Sequence, residues 1–375
     1  MSVDDWKEIM LNPTYKTSLL VLTGFLLISL LSNGCDRKSS INNFQYTLAA
    51  VPPFDRDSVP EPPLIQSDVA VLAHSRYSYY DLAKEIAAYY NAPLIHTNEN
   101  SNDSLVGKLR QVQAKYVIVV LPPFLIKQDS VSNLFHVFCS LDNDPHLDVG
   151  YCYVTGYTVD DARSLFYSNK TDTTTVGKYL GISEVFDGDE SCHYMIQSYS
   201  EEFRAAGWGS DTAIFESYPI DNVSIELPKL QQNQMVFFIG HGDFENSCGI
   251  SSTDLKSIDL SGDIIFSGTC LTGNTFCDDP TIDPIALRIL KCGTTFYVAN
   301  VNVSGWDMVW FIAQDVCKNS MNYGDAIKDG INREIDWEKA TKPTLSADEY
   351  ISCIIPFGDP KGKPRLKSAV SVYVN

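Results

Sequence analysis

From residue 68 onward, short apolar runs alternate with stretches in which apolar positions recur every three or four residues. The continuous runs predict buried strands at 68–73, 93–96, 116–121, 148–155, 213–215, 234–240, 263–268 and 294–299. The helical spacing predicts helices over 79–90, 104–112, 131–141, 192–206, 282–292 and 308–319. Thr158, with Asp160 and Asp161 behind it, caps a further helix. Strands that alternate with helices in this way predict an α/β fold, a mostly parallel sheet with helices on both faces. The series divides near 170–185, which predicts two α/β subdomains, 68–180 and 181–375. In such sheets, sites form where the chain leaves the carboxyl ends of the strands.

The first residues follow a different pattern. The stretch 17–35 is uncharged, rich in Leu, and preceded by Lys16, the arrangement of an export signal. Leu31-Ser32-Asn33-Gly34-Cys35 resembles a bacterial lipoprotein box, with Cys35 as the residue to be lipidated. The segment is also long enough to be an uncleaved membrane anchor. Residues 1–35 are therefore expected to direct export and tether the chain to a membrane. Asp4, Asp5 and Glu8 are odd in a signal, so Met10 is an alternative start. Residues 36–67 carry Pro52, Pro53, Pro60, Pro62 and Pro63 among polar residues and read as an extended tether.

The chain has 375 residues with 44% hydrophobic, enough for a large core, and a net charge of −19. That charge argues against nucleic acid as a partner. Ten cysteines occur with no C-x-x-C pair, so neither a zinc ribbon nor a thioredoxin-like site is expected. Some could pair as disulfides; the rest suit small buried positions. No cofactor or catalytic metal is expected. Asp278, Asp279 and Asp283 could hold a structural calcium or simply form a solvated helix N-terminus. Asn102, Asn169, Asn222 and Asn302 fit glycosylation sequons, which matter only in a eukaryotic secretory route.

Two of the strands end in chemistry. Met235-Val236-Phe237-Phe238-Ile239 runs into Gly240-His241-Gly242. Asp263-Ile264-Ile265-Phe266-Ser267 runs into Gly268-Thr269-Cys270-Leu271-Thr272-Gly273. If these strands are parallel neighbours, imidazole and thiol reach the same sheet edge, as cysteine-nucleophile chemistry requires. Each residue alone would more often be structural; the pair, each in a small-residue context, points to a site. Glycines beside them let a substrate backbone approach and leave N–H groups for an oxyanion.

These motifs resemble the clan of caspases, legumains, clostripain and gingipains, and Cys270-Leu271-Thr272-Gly273 resembles the gingipain branch. Gly156-Tyr157-Thr158-Val159-Asp160-Asp161-Ala162, Asn322-Tyr323-Gly324-Asp325-Ala326 and Phe357-Gly358-Asp359-Pro360 also resemble that branch. The likeness covers roughly 68–375. Tyr151-Cys152 stand where Gly-Arg is usual, and Thr269 stands where Ala or Ser is commoner.

The resemblance implies a caspase-haemoglobinase-like fold and an exported cysteine endopeptidase acting on protein or peptide substrates. Cys270 would be the nucleophile, His241 the proton donor, and the N–H groups of Gly242 and Cys270 the oxyanion donors. It further implies a basic P1 residue held by an acidic pocket, with Asp144 as first candidate, Asp148 as second, and Trp306 as an apolar wall. The competing reading is a catalytically silent surface lipoprotein of the same fold that serves as a binding or scaffold module. A periplasmic-type ligand-binding protein is a third reading, but it leaves both strand-end motifs without a purpose.

Overall fold

The computed structural model describes residues 60–98, 100–171, 175–185, 191–216, 223–302, 307–341 and 353–366. The export segment, Cys35 and most of the proline-rich tether lie outside these residues. At Pro60–Ser67 the tether reaches the domain: the Glu61 carboxylate accepts the His96 backbone N–H at 2.9 Å and pairs with Lys108.

The first series comprises β1 (Val69–Ala73), α1 (Tyr79–Tyr90), β2 (Leu94–His96), α2 (Asn102–Val112), β3 (Tyr116–Val120), α3 (Gln128–Phe138), β4 (Gly150–Val154) and α4 (Val159–Thr171). After β5 (Thr175–Val176) come β6 (Lys178–Val185), α5 (Ser191–Ala205), β7 (Gly209–Glu216), α6 (Val223–Leu230) and β8 (Met235–Ile239). The short pair β9 (Asn246–Ser247) and β10 (Ile250–Ser251) precedes β11 (Ile264–Ser267), α7 (Ile285–Lys291), β12 (Phe296–Asn300) and α8 (Asp307–Cys317). The chain then forms α9 (Tyr323–Thr341), β13 (Ile354–Phe357) and β14 (Arg365–Leu366).

Ten strands form one sheet in the order β2-β1-β3-β4-β13-β12-β11-β8-β6-β7. Neighbours are parallel from β2 to β4 and from β12 to β7. β13 runs antiparallel to β12 and pairs in parallel with β4 through Phe357 opposite Tyr153. The α/β class and the mostly parallel sheet are as the hydrophobic pattern predicts. The two strand series meet in this single sheet, joined through β13.

Alternation within the strands explains why helices cover both faces. Val69, Val71 and Ala73 pack with α1 residues such as Leu82 and Ile86, whereas Ala70 and Leu72 pack with Leu105, Leu109 and Phe135 of α2 and α3. In the other half, Phe237 of β8 meets Tyr199 of α5 and Trp310 of α8, whose rings stack at 3.5 Å between centroids. Thr158 caps α4 as expected: its hydroxyl accepts the Asp161 N–H while Asp161 accepts the Thr158 N–H, both at 3.1 Å.

The sequence pattern missed β6 because Ser183 and Glu184 interrupt its apolar run, and it shortened the eight-residue β7. It gave no strand before Phe357-Gly358-Asp359-Pro360, although Phe357 ends β13. It began α7 three residues early; Asp283 precedes Pro284, which disfavours helix there and makes Pro284 the N-cap.

The two halves are also joined by a close backbone crossing. A Cβ on Gly150 of β4 would lie 2.4 Å from the carbonyl group of Gly324 in α9. Gly150→Ala is expected to destabilise the protein by at least about 2 kcal/mol through this clash. Gly107 lies inside α2 with open space around it. Gly107→Ala is expected to stabilise by about 0.5–1 kcal/mol. Urea unfolding of the two variants checks the pair; equal effects would contradict the crossing.

Candidate functional site

β8 and β11 are adjacent and parallel, with Met235 opposite Ile264, Phe237 opposite Phe266 and Phe238 opposite Ser267. Every residue of both strands is buried, so the register is fixed by the core on both faces. The chain therefore leaves both strands at the same edge, and His241 and Cys270 are the residues just beyond it. Parallel neighbours in a sheet are about 4.8 Å apart. His241 is exposed and Cys270 half-buried, so a substrate can reach both.

After His241 the chain folds back in a tight hairpin. The Cys248 N–H donates to the His241 carbonyl and the Asp243 N–H to the Asn246 carbonyl, both at 2.9 Å, which sets Gly242 opposite Ser247. These two bonds flank Gly242 and leave its own N–H out of the hairpin ladder. Asp243 closes the turn by accepting the N–H groups of Glu245 and Asn246 at 2.8 Å. Gly242 lies hard against the cysteine loop. A Cβ there would fall 2.7 Å from Thr269 Oγ1 and 2.8 Å from the Cys270 carbonyl oxygen. No residue larger than glycine fits without parting the two loops.

The cysteine loop turns sharply at Leu271, whose φ is 61°. Its return is fixed by Leu271 N–H to the Asn302 carbonyl at 3.2 Å and Gly273 N–H to the Asn300 carbonyl at 2.8 Å. Beneath Cys270 lies a knot of fully buried hydroxyls. Ser267 Oγ lies 2.7 Å from Thr269 Oγ1 and 2.9 Å from Thr272 Oγ1, and Ser247 Oγ lies 3.1 Å from Thr269 Oγ1. Thr269, unusual by comparison with the resemblance, thus joins the His241 hairpin to the Cys270 loop.

Glu184, at the end of β6 beside β8, was not singled out by its sequence context. It is 3% exposed and its carboxylate accepts the His241 backbone N–H. Burial pushes the Glu184 carboxyl up from its ordinary value, and the His241 imidazole acts in the opposite direction. The available signal was an acidic residue closing the run Leu180-Gly181-Ile182-Ser183.

Loops that follow first-series strands also touch the chain beyond Cys270. Thr275, just beyond Cys270, donates its hydroxyl to the Pro123 carbonyl after β3 at 2.9 Å. Tyr157, after β4, donates its hydroxyl to Asp283. Asp148 instead precedes the amino end of β4, where its carboxylate accepts the Leu141 N–H at 2.7 Å. Asp144 is exposed in the same loop and accepts the His146 N–H at 2.8 Å. Asp144 and Asp148 both organise the loop into β4. Trp306 lies outside the described residues.

The acidic residues after Cys270 are also engaged locally. Asp279 accepts the Thr281 N–H and hydroxyl, and Asp283 accepts Arg288 at 2.6 Å. Among the described residues no three His, Cys, Asp or Glu side chains are grouped to hold a metal ion. Of the nine described cysteines, Cys152, Cys248, Cys317 and Cys353 are buried. Among the described residues no helix is long and apolar enough to cross a membrane.

No family model matches the sequence, and no curated protein matches it. Solved structures do. The Arg-specific cysteine proteinase gingipain R (RgpB) is 13% identical with a TM-score of 0.61, over 82% of this chain and 80% of that one. The complex of Porphyromonas gingivalis RgpB pro- and mature domains contains a chain 12% identical with a TM-score of 0.60, over 79% of each chain. A third structure, described as a protease, is 11% identical with a TM-score of 0.59, over 80% of this chain and 78% of that one. The chain thus has the gingipain-like, caspase-like α/β fold that its strand-end motifs resemble.

The raised Glu184 carboxyl sets a pH dependence. A raised folded-state pKa contributes stability that is present below the unfolded value of 4.5 and lost as pH climbs through the folded value. Glu184→Gln keeps the acceptor for the His241 N–H but removes the charge. The variant is expected to match the wild type in thermal midpoint near pH 4 and to exceed it increasingly toward pH 7. A midpoint difference that stays constant over that range would contradict this placement of Glu184.

Proposed function

We propose that this protein is a cysteine endopeptidase that cleaves protein or peptide substrates through Cys270 and His241. One observation carries the reading. Histidine and cysteine follow in-register neighbouring strands, and Gly242 packs directly against the Thr269 side chain and the Cys270 carbonyl. The fold shared with gingipain R supports it.

The sulfur of Cys270, as thiolate, attacks the scissile carbonyl carbon. A carbon–sulfur bond forms and the carbonyl π pair moves onto oxygen. The N–H groups of Gly242 and Cys270 receive that oxyanion. As the tetrahedral intermediate collapses, the carbon–nitrogen bond breaks and His241 gives its proton to the leaving amine. Water then attacks the thioester with His241 as base, releasing the acid and restoring the thiol. Glu184 anchors the His241 backbone and places a carboxylate near the imidazole when it protonates.

A basic P1 residue would need a carboxylate partner; Asp144, exposed in the loop before β4, is the first candidate and Asp148 the second. The net charge of −19 favours encounter with basic substrates in general. Export through the 17–35 segment, with tethering by Cys35 lipidation or by an uncleaved anchor, completes the proposal.

Cys270→Ala and His241→Ala are each expected to lower peptide hydrolysis by at least about 10³-fold without loss of the folded circular-dichroism spectrum. The substrates are fluorogenic peptides bearing Arg, Lys, Asn or Asp at P1. Hydrolysis retained in Cys270→Ala would overturn the assignment.

A further inference from the structure

In the proposed mechanism the Cys270 N–H is an oxyanion donor, and it must be aimed. That N–H belongs to the peptide unit joining Thr269 to Cys270. The unit is planar and trans, so its C=O and N–H point in opposite directions and turn together. Whatever holds the Thr269 carbonyl therefore aims the Cys270 N–H.

Two side chains hold it. Thr272 Oγ1 donates to the Thr269 carbonyl oxygen at 3.2 Å, and Asn300 Nδ2 approaches the same oxygen at 3.4 Å. Both residues are fully buried. Each is fixed in turn. Thr272 Oγ1 lies 2.9 Å from Ser267 Oγ, and the Thr272 carbonyl accepts the Tyr297 hydroxyl at 2.9 Å. Asn300 Nδ2 also donates to the Ser267 carbonyl at 3.2 Å. The same knot reaches the second donor, because Ser247, opposite Gly242 in the His241 hairpin, meets Thr269 Oγ1 at 3.1 Å.

We infer that Thr272 and Asn300 are positioning residues that clamp the 269–270 peptide, and that the Ser247–Ser267–Thr269–Thr272 hydroxyl knot presets both oxyanion donors against each other. This inference rests on the proposed function for its catalytic meaning. Its physical content, an oriented N–H beside a reactive sulfur, can be read without turnover.

The test compares wild type with Thr272→Val, which keeps the side-chain volume and loses the hydroxyl, and Thr272→Ser, which restores it. Three readouts are taken on the full chain: kcat and KM, the Ki of a peptide aldehyde, and the rate of Cys270 alkylation by iodoacetamide followed by intact mass. The aldehyde forms a hemithioacetal. The sulfur–carbon bond forms, the carbonyl π pair moves to oxygen at the oxyanion position, and that oxygen takes the proton the thiol gave up. Alkylation displaces iodide from a saturated carbon and uses no oxyanion donor.

In Thr272→Val, kcat is expected to fall roughly 10- to 100-fold with KM within about twofold, and the aldehyde Ki to rise by a similar factor. Alkylation is expected to stay within about twofold of wild type, and Thr272→Ser to recover most of the loss. Unchanged aldehyde affinity, a fall in alkylation matching the fall in kcat, or failure of serine to rescue would each overturn the inference. If Thr272→Val does not fold, Asn300→Ser removes the other donor to the Thr269 carbonyl and carries the same readouts. A wild type that binds the aldehyde but hydrolyses no peptide would refute the proposed function and leave the clamp to be judged on Ki. A wild type that alkylates but does not bind the aldehyde would refute the clamp as well.

Discussion

The in-register pairing of β8 with β11 is the constraint on which the site depends. Both strands are buried on both faces, so a slip of one residue would turn Phe237 and Phe266 out of contact with their neighbours. The site inherits that precision. His241 and Cys270 follow the same edge because their strands cannot shift, and the loops that carry them need only be short. Glycine at 242 then lets the two loops touch, and the hydroxyl knot beneath them converts contact into fixed orientation.

The rest of the sheet serves this edge in graded ways. β6 delivers Glu184 to the histidine side, and β12 delivers Asn300 to the cysteine side. β13 closes the second series and joins it to β4, so the first series buttresses the loop beyond Cys270 through the Thr275 bond to Pro123. The helices face the core rather than the edge. The molecule thus separates an apolar interior from a polar rim, with the fully buried hydroxyls of Ser247, Ser267, Thr269 and Thr272 clustered beneath the site.

What could be read from the sequence follows from the same physics. Runs such as Met235-Val236-Phe237-Phe238-Ile239 announce buried parallel strands, and the residues that end them announce the site. β6 was hidden because the polar pair Ser183 and Glu184 sits inside a strand, where a site requires it and the apolar pattern does not expect it. Nothing in the sequence around Thr269 and Thr272 marks them as partners. Their shared role appears only when two strands and a hairpin are brought together, since the bonds they make join residues up to 31 positions apart.

The account stands or falls on whether Cys270 is set apart from the other thiols. Nine of the ten cysteines are described, four of them buried and five half-buried, so simple accessibility does not single it out. The direct measurement is labelling of the folded full chain with acyloxymethyl ketone probes, which react at an activated thiol placed beside an oxyanion site, read by intact mass and peptide mapping. One adduct, on Cys270, lost when His241 is replaced, is the predicted result. Adducts spread over several cysteines, or none on protein shown to be folded, would contradict it.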